Sequence, residues 1–336
     1  MTSKFKKLKI GLMVDRITSA CIAAECDTRE ITPDNFKDII YSWKPDLIFS
    51  ETSWSASHGA WRNKLPLPYY VIWKKIDKTL FNILSIAKDR KIPTFFWQKD
   101  SDVWFTFYIH ITKLFDHILT TDSNIIPRLR ANLPSSTTID TMLFPCQQAF
   151  HSFNGFNFKY NQANFVGGYR KDGIHINRAK WLNMIIESCQ KTEMKLDVFD
   201  RNFAKRDKNF HFPGIGTYSH FHPIQNSKTA SIYKDYLISF NANTITNSPT
   251  MYSRRLVEIL ACGGMVLTNK AISVEKLFKD YCYIVENPEQ TNEILSRLKN
   301  GPSTKDMERA RAGAEYISKN HTWTHRIDDI CKIAGI

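Results

Sequence analysis

The sequence predicts an α/β protein of two domains, each a parallel β-sheet covered by helices. The chain has 336 residues, which corresponds to about two domains at about 100–200 residues each. Its apolar content of 43% and aromatic content of 13% suffice for packed cores and exclude a globally disordered chain. Short apolar runs also alternate with segments of helical periodicity, twice along the chain, which is typical of parallel sheets.

The first half of the chain alternates strands and helices. Apolar runs predict strands at 9–14, 47–50, 94–97 and 117–121. Apolar residues at helical spacing predict helices at 33–43, 80–90 and 109–115. Strand and helix in this rhythm favour a parallel sheet with both faces covered.

A second alternating series follows a polar, aromatic segment at 147–163, which we interpret as a connection between domains. Strands are predicted at 164–166, 195–199, 236–240, 265–268 and 281–285, and helices at 178–190, at 252–262 and from about 290 and 305. The two series predict two Rossmann-like domains facing a cleft. Since such sheets bind ligands beyond the carboxyl ends of their strands, functional residues should directly follow strands.

The charge of the chain points to an anionic partner. Lys and Arg number 46 against 33 Asp and Glu, a formal charge of +13. Nucleic acid, an acidic lipid surface or a phosphorylated small molecule would each suit this excess. The basic residues are dispersed and no helix-turn-helix, RNA-recognition or zinc module is evident, so nucleic acid is the least favoured. Lys4, Lys6, Lys7 and Lys9 support a hypothesis of contact with an anionic membrane surface.

Cysteine usage and hydropathy indicate a cytoplasmic protein. The seven Cys include no C-x-x-C pair, which favours reduced thiols over a disulfide framework or a zinc site. The basic start of the chain runs directly into the first predicted strand, so we expect no signal peptide. No run of about 18 apolar residues occurs, so we expect no membrane span.

The strongest chemical signal lies in 241–269. A helix-start signature at 248–250 precedes Arg254, Arg255 and Glu258. Two guanidiniums near a helix N-terminus form an oxyanion site, and a carboxylate one turn deeper can accept hydrogen bonds from a ribose diol. An Arg–Glu pair at this spacing is usually a surface ion pair. The apolar strands on both sides and the polar stretch before the helix favour a nucleotide-sugar site instead.

Two further positions suit the same donor site. Gly167 and Gly168 follow a strand, where a bare backbone would let a diphosphate approach closely, although a simple tight turn is an equal alternative. Arg178 could reach that site or be a solvated arginine at a helix start. His211, His220 and His222 are too irregularly spaced for a metal site, and we interpret them as part of a loop near the donor base.

The first domain offers four candidates for a general base. Asp15, Glu51, His58 and Asp100 all lie just past predicted strands, where a side chain can face substrate or merely cap a helix.

Four tryptophans flank these acids, namely Trp54, Trp61, Trp97 and Trp104. Aromatic rings beside carboxylates suit a sugar platform, but buried tryptophans more often belong to a core.

The chain resembles the CgeB-like glycosyltransferases, the family named after a spore maturation protein. The 241–269 segment resembles that family's donor-binding region. Five more segments match family motifs in order: FSETSWSASHGAWRNKL (49–65), IPTFFWQKDSDVWF (92–105), DHILTTDSNIIPRLR (116–130), FVGGYRKDGIHINR (165–178) and HTWTHRIDDI (321–330). Together they cover nearly the whole chain.

The resemblance implies a GT-B architecture of two Rossmann-like domains. It implies an acceptor domain at 1–155, a donor domain at 156–320, and a helix at 321–336 that crosses back to the first domain. It also implies transfer of a sugar from a nucleotide donor to a glycan, a lipid-linked acceptor or another hydroxyl, without an essential metal or cofactor. The implied donor-binding set is Gly167, Gly168, Tyr169, Arg178, Asn241, Thr250, Ser253, Arg254, Arg255 and Glu258.

One departure leaves the stereochemistry open. Many retaining GT-B enzymes carry Glu-x7-Glu across this helix, and Thr250 stands where the first Glu would be. The alternatives to a glycan or lipid transferase are a basic nucleic-acid-binding protein, a DNA-modifying glycosyltransferase, and a degenerate transferase that serves as a scaffold.

Overall fold

The computed structural model divides the chain into two compact units. The first comprises Met1–Leu143 together with Trp323–Ile336, and the second comprises Phe144–Thr322. The structure describes residues 3–62, 64–65, 78–100 and 102–336. Asn63 and Ser101, which fall within two of the motifs quoted above, lie outside the described residues.

The first unit is a parallel sheet with helices packed against it. Within its described residues the strands are β1 (Lys9–Met13), β2 (Asp27–Glu30), β3 (Leu47–Glu51), β4 (Thr94–Gln98), β5 (His117–Thr120) and β6 (Thr138–Thr141). They are all parallel, in the order β2-β1-β3-β4-β5-β6. The helices are α1 (Arg16–Ala23), α2 (Phe36–Asp38, continued by a π-helix at Ile39–Trp43), α3 (Lys78–Asp89), α4 (Phe105–Thr112) and α5 (Ile126–Asn132).

The second unit, residues 144–322, is described throughout and contains a second parallel sheet. Its strands are β7 (Tyr160–Val166), β8 (Leu196–Phe199), β9 (Ser219–Phe221), β10 (Tyr236–Asn241), β11 (Val266–Asn269) and β12 (Tyr283–Val285), in the order β12-β11-β10-β7-β8-β9. Its helices are α6 (Ile176–Lys191), α7 (Thr229–Asp235), α8 (Arg254–Ala261), α9 (Ile272–Phe278), α10 (Pro288–Leu298) and α11 (Thr304–Asn320).

The final helix, α12 (Trp323–Ala334), belongs to the first unit. Its Trp323 ring packs edge-to-face on Trp97 of β4 at 5.9 Å between ring centroids. Arg326 Nε donates a hydrogen bond to the Leu143 carbonyl at 3.0 Å. The chain therefore returns to its first unit at its end.

The boundary between the units lies earlier than position 155. The segment after Leu143 packs with the second unit: Cys146 pairs with Thr322, and the His151 ring lies 2.8 Å from the Thr229 hydroxyl. Because these contacts join 144–155 to residues far along the chain, the aromatic segment is part of the second unit rather than a free connection.

The sequence analysis missed the helices α1, α5, α7 and α9 and the polar edge strands β2, β6 and β9. β2 (DTRE), β6 (TIDT) and β9 (SHF) lie at sheet edges and are largely exposed, so they carry no apolar run. The inner strands β3, β4 and β10 are buried along their whole length, as their apolar composition predicts.

Candidate functional site

The second sheet has one position where the order of connections reverses. Strand β7 pairs with β8 on one side and with β10 on the other, and the chain continues outward in both directions. In open α/β sheets, ligands bind beyond the strand ends at such a switch point. Gly167 and Gly168 follow β7 directly, and Asn241 ends β10. The predicted donor residues therefore lie at the position that the topology favours.

Arg255 packs against the turn after β7. A Cβ atom at Gly167 would collide with Arg255 Nη2 and lie 3.1 Å from Cζ, so only glycine leaves room for this guanidinium. The guanidinium also lies over the Phe165 ring, 4.8 Å from its centroid. Among the described residues, its buried Nη1 has no hydrogen-bond partner. A buried guanidinium nitrogen without a partner is costly unless a ligand occupies the site.

Arg178 reaches the same switch point from α6. Its side chain is buried, and its Nε donates to the carbonyl of Ala242, just after β10, at 3.4 Å. Burial, together with the charges of Arg255 and Arg201, lowers the pKa of Arg178 to about 9. Within the described chain no carboxylate lies within salt-bridge distance of Arg178 or Arg255. The cluster therefore has an excess of buried positive charge that an anion would neutralise.

Arg254 and Glu258 play a different part from Arg255. Glu258 Oε1 accepts from Asn226 Nδ2 at 2.9 Å and lies 3.2 Å from Arg254 Nε. The Glu258 side chain is only 7% exposed. The two consecutive arginines thus separate: one orients the carboxylate predicted to bind ribose, while the other faces the glycine turn.

A polar network supports the loop between β10 and α8. Asn241 Nδ2 donates to the Thr268 hydroxyl at 2.9 Å, and Asn243 Oδ1 accepts from the Ser253 amide at 2.8 Å. The Thr250 amide donates to the Ser248 hydroxyl at 3.3 Å. These contacts hold the start of α8 beside the switch point. Thr250 and Ser253 contribute through their backbone amides, and Asn241 contributes through its side chain.

The turn after β7 is held in a similar way. Asn202 Nδ2 donates to the Tyr169 carbonyl at 3.0 Å, and a Cβ at Gly168 would strike that amide. The Tyr169 hydroxyl donates to Asn183 at 2.9 Å. Sequence reasoning missed Arg201 and Asn202, although their position directly after β8 was the available signal.

Two of the three histidines, His220 and His222, pack against the same ring, that of Phe203. His220 Nε2 lies 3.1 Å from Asp200 Oδ2, His211 Nε2 lies 2.7 Å from the Lys205 carbonyl, and the His222 ring packs 4.0 Å from the Phe203 centroid. In the described part of the chain, no group of three or more His, Cys, Asp or Glu side chains is placed to hold a metal ion.

The first unit brings two of the predicted acids together through a lysine. Asp15 follows β1 and caps α1, accepting from the amides of residues 17 and 18 at 2.9 Å. Lys99 Nζ lies 2.5 Å from Asp15 Oδ2 and 2.6 Å from Glu51 Oε1. Because Asp15, Glu51 and Lys99 come from neighbouring parallel strands or their ends, they meet at one edge of the sheet. Lys99 was absent from the predicted set.

Glu51 is the inaccessible member of this cluster. Its side chain is fully buried, Oε1 also accepts from the Asp15 amide at 2.7 Å, and Oε2 accepts from the Thr18 hydroxyl at 2.7 Å. Asp15 is 31% exposed. Burial raises the pKa of Glu51 to about 7, opposed by Lys99 and reinforced by Asp15. The Asp15 side chain is therefore accessible to a substrate, whereas Glu51 and Lys99 can only hold the Asp15 carboxylate in position.

The remaining two candidates differ from this pair. Burial raises the pKa of Asp100, and both the Lys99 charge and a hydrogen bond from the Thr52 side chain oppose that shift. His58 lies on an exposed turn with φ of 55°, and its Nε2 is 3.5 Å from Glu30 Oε1. His58 thus faces a different carboxylate.

The tryptophans divide into two groups. Trp61 and Trp97 are 0% and 1% exposed and belong to the core. Trp54 is 43% exposed and packs edge-to-face on Trp104 at 5.4 Å. Only the second pair can serve as a sugar platform.

The pH dependence of stability should reveal the state of Glu51. A carboxyl group whose pKa is raised on folding contributes stability below its unfolded pKa, about 4.3, and loses it as pH rises through the folded value. We expect the stability advantage of the wild type over Glu51→Gln to shrink between about pH 4.5 and 7, measured by urea unfolding. A gap that widens with rising pH would instead mean that attraction to Lys99 outweighs burial.

Most of the N-terminal lysines have partners within the first unit. Lys4 Nζ lies 2.5 Å from Asp328 Oδ1. Lys6 and Lys9 donate to backbone carbonyls of residues 24 and 43 at 2.7 and 3.2 Å. No helix among the described residues has the length and apolarity needed to cross a bilayer.

Comparisons with known proteins agree with this architecture. Residues 193–332 match a protein family described as glycosyl transferase-like. No curated protein matches the sequence. An α-glucosyltransferase in complex with UDP-glucose and DNA containing an abasic site superposes with a TM-score of 0.65 at 10% identity, covering 98% of this chain and 100% of that one.

Two further solved structures are similar at the same low identity. A glycosyltransferase from Rickettsia africae gives a TM-score of 0.59 at 10% identity, with 98% of each chain covered. Anabaena HepE in complex with UDP and glucose gives 0.57 at 10% identity, with 98% of this chain and 100% of that chain covered. The described residues form two six-stranded parallel sheets, one in each unit. The chain therefore has the GT-B fold of glycosyltransferases.

Proposed function

We propose that this protein is an enzyme that transfers a sugar from a nucleoside diphosphate sugar to a hydroxyl acceptor. The observation that carries the proposal is Arg255, whose buried Nη1 has no partner among the described residues and whose guanidinium fills the space above Gly167. A diphosphate at the end of β7 would supply the missing acceptor and neutralise the excess charge of Arg178 and Arg255. The glycosyl transferase-like match over 193–332 supports the same reaction class.

Each chemical task has a candidate residue. Arg178 and Arg255 would stabilise the leaving diphosphate, a task that needs no metal when guanidiniums supply the charge. Glu258, oriented by Arg254 and Asn226, would accept hydrogen bonds from the ribose hydroxyls. In the first unit Asp15 would accept the proton of the acceptor hydroxyl as it attacks the sugar.

We propose membership of the CgeB-like group on the motifs quoted above, and a role in polysaccharide biosynthesis with a glycan or lipid-linked acceptor. A cytoplasmic location is supported by the seven cysteines, which are all buried and include no C-x-x-C pair. Contact with an anionic membrane surface is supported by the net charge of +13, and the internal partners of Lys4, Lys6 and Lys9 weaken it.

Nucleotide binding tests the donor site directly. We expect at least one of UDP, GDP and ADP to raise the melting temperature, since a ligand at about 100 times its Kd stabilises the folded state by about 2.7 kcal/mol. Gly167→Ala should lose this shift because its Cβ would displace Arg255. Gly301→Ala, in the turn between α10 and α11 and with nothing within 4 Å of its Cβ position, is the control, and the shift is measured within each variant.

Three outcomes would count against the donor site. Either no diphosphate stabilises the wild type, or Gly167→Ala keeps the full shift, or Gly301→Ala loses it as well. A nucleotide sugar containing the stabilising nucleotide should then be hydrolysed slowly without an acceptor, which identifies the donor.

A further inference from the structure

We propose that an aromatic surface on the first unit binds a carbohydrate ring of the acceptor; this inference rests on the function proposed above. The surface, here called the aromatic patch, consists of Trp54, Trp104 and Phe107, and the buried ring of Tyr108 lies beneath it. The Trp54 ring packs edge-to-face on those of Trp104, Phe107 and Tyr108, with centroids 5.4, 5.8 and 6.4 Å apart. The ring centroids of Trp104 and Phe107 are 5.3 Å apart. The rings therefore support one another as a rigid platform.

The exposure of this platform distinguishes it from core packing. Trp54 is 43% exposed, while Tyr108 beneath it is fully buried. Trp61 and Trp97 of the same unit are almost completely buried, so the fold can bury tryptophans here. Singly exposed aromatic residues are common on protein surfaces, whereas several adjoining aromatic rings at a surface are typical of a binding site.

The patch lies beside the carboxylates at the carboxyl edge of the first sheet. Trp54 follows β3 by three residues, and the Thr52 side chain between them hydrogen-bonds to Asp100, which follows β4. Asp100 also lies close enough to Tyr108 to raise the pKa of that phenol, after burial as the main cause. Lys99, which precedes Asp100 in the chain, forms a salt bridge with Asp15. Apolar rings and hydrogen-bond acceptors thus lie together at the carboxyl ends of the strands of the first sheet.

This combination suits a sugar ring. The C–H face of a pyranose packs on an aromatic ring, while its hydroxyls donate hydrogen bonds to carboxylates. A carboxylate within reach of the same ring is also the group that must take a proton from the reacting hydroxyl. A platform and a base at one edge would hold an acceptor sugar for attack.

The local charge argues against a polyanionic acceptor. Asp15 forms a salt bridge with Lys99, and burial raises the pKa values of Glu51 and Asp100, which favours their neutral forms. The nearby Asp102 is paired with Arg128, which lies over the Phe105 ring. This edge therefore offers no excess of positive charge to DNA phosphates, and a neutral sugar needs none.

Tryptophan fluorescence provides the test, with oligosaccharides of glucose, of N-acetylglucosamine and of galactose as separate probes. We expect at least one to change the emission of the wild type, and Trp54→Ala to weaken its binding about tenfold. Trp54→Phe should retain part of the affinity because it keeps a ring. Phe81→Ala, a change at a 56% exposed aromatic on α3, is the control and should bind normally.

The nucleotide-induced melting shift, measured on the same variants, separates this inference from the donor site. A Trp54→Ala protein that keeps its nucleotide shift and loses sugar binding supports the aromatic patch. The inference is overturned if no oligosaccharide binds the wild type, if Trp54→Ala binds as tightly as the wild type, or if a DNA oligonucleotide binds through Trp54 instead. If sugars bind but no nucleotide does, the donor proposal fails while the patch stands.

Discussion

Replacing Arg255 with alanine is expected to lower kcat for sugar transfer by about 10²–10³-fold, the cost of removing one donor from a developing oxyanion. The same change should abolish stabilisation by the nucleoside diphosphate. The physical reason is that Arg255 is half-buried beside Gly167, where its Nη1 has no partner among described residues. Its charge is therefore available to the leaving diphosphate.

The same variant should also differ from the wild type in the melting temperature of the unliganded protein. Burial lowers the pKa of Arg255; the charges of Arg201 and Arg254 add to this shift, and Tyr233 and Glu258 oppose it. Removing a desolvated cation from among other cations should leave the melting temperature of the unliganded protein unchanged or raise it. A purely structural arginine would instead lower it.

Two variants complete the experiment. Arg255→Lys should recover only part of the activity, since an ammonium cannot form the paired hydrogen bonds of a guanidinium. Arg90→Ala, which removes an arginine over the Tyr41 ring, is the control and should retain full transfer. Normal transfer by Arg255→Ala would remove this residue from the donor site.

Replacing Asp15 with asparagine is expected to lower kcat by about 10²–10⁴-fold, the usual contribution of a general base. Asparagine can still cap α1, because its side-chain oxygen accepts from the same amides. The KM for the donor should change little, since the donor residues lie in the second unit. Steady-state kinetics with saturating donor would measure both values.

The control for Asp15→Asn is a carboxylate at the amino ends of the strands in the same sheet. Asp46 precedes β3 and accepts from the Lys9 amide at 2.8 Å. Asp46→Asn makes the same chemical change at the amino end of β3, away from the carboxyl ends of the strands, so it should leave kcat intact. Equal losses in both variants, or full activity in Asp15→Asn, would contradict the role of Asp15 as base.

Much of the fold followed from hydrophobic patterning. The buried strands β1, β3, β4 and β10 are apolar runs, and the prediction of an α/β fold with two parallel sheets is confirmed. The edge strand β2 was missed because an exposed strand with polar side chains has no hydrophobic signature.

The donor residues were accessible to sequence reasoning because they are close together in the chain. Arg254, Arg255 and Glu258 lie on one helix, so spacing alone places them within a turn of each other. Spacing could not show that the two arginines turn to different partners, one to Glu258 and the other to the turn after β7.

The sequence by itself determined the alternation of strands and helices, and hence that polar residues after each strand would collect at the carboxyl edges of two sheets. Only the tertiary structure decided which of those residues meet. Lys99 joins Asp15 and Glu51 because β1, β3 and β4 are neighbours in the sheet. Strand order depends on how whole elements pack, and local hydrophobic patterning carries no record of it.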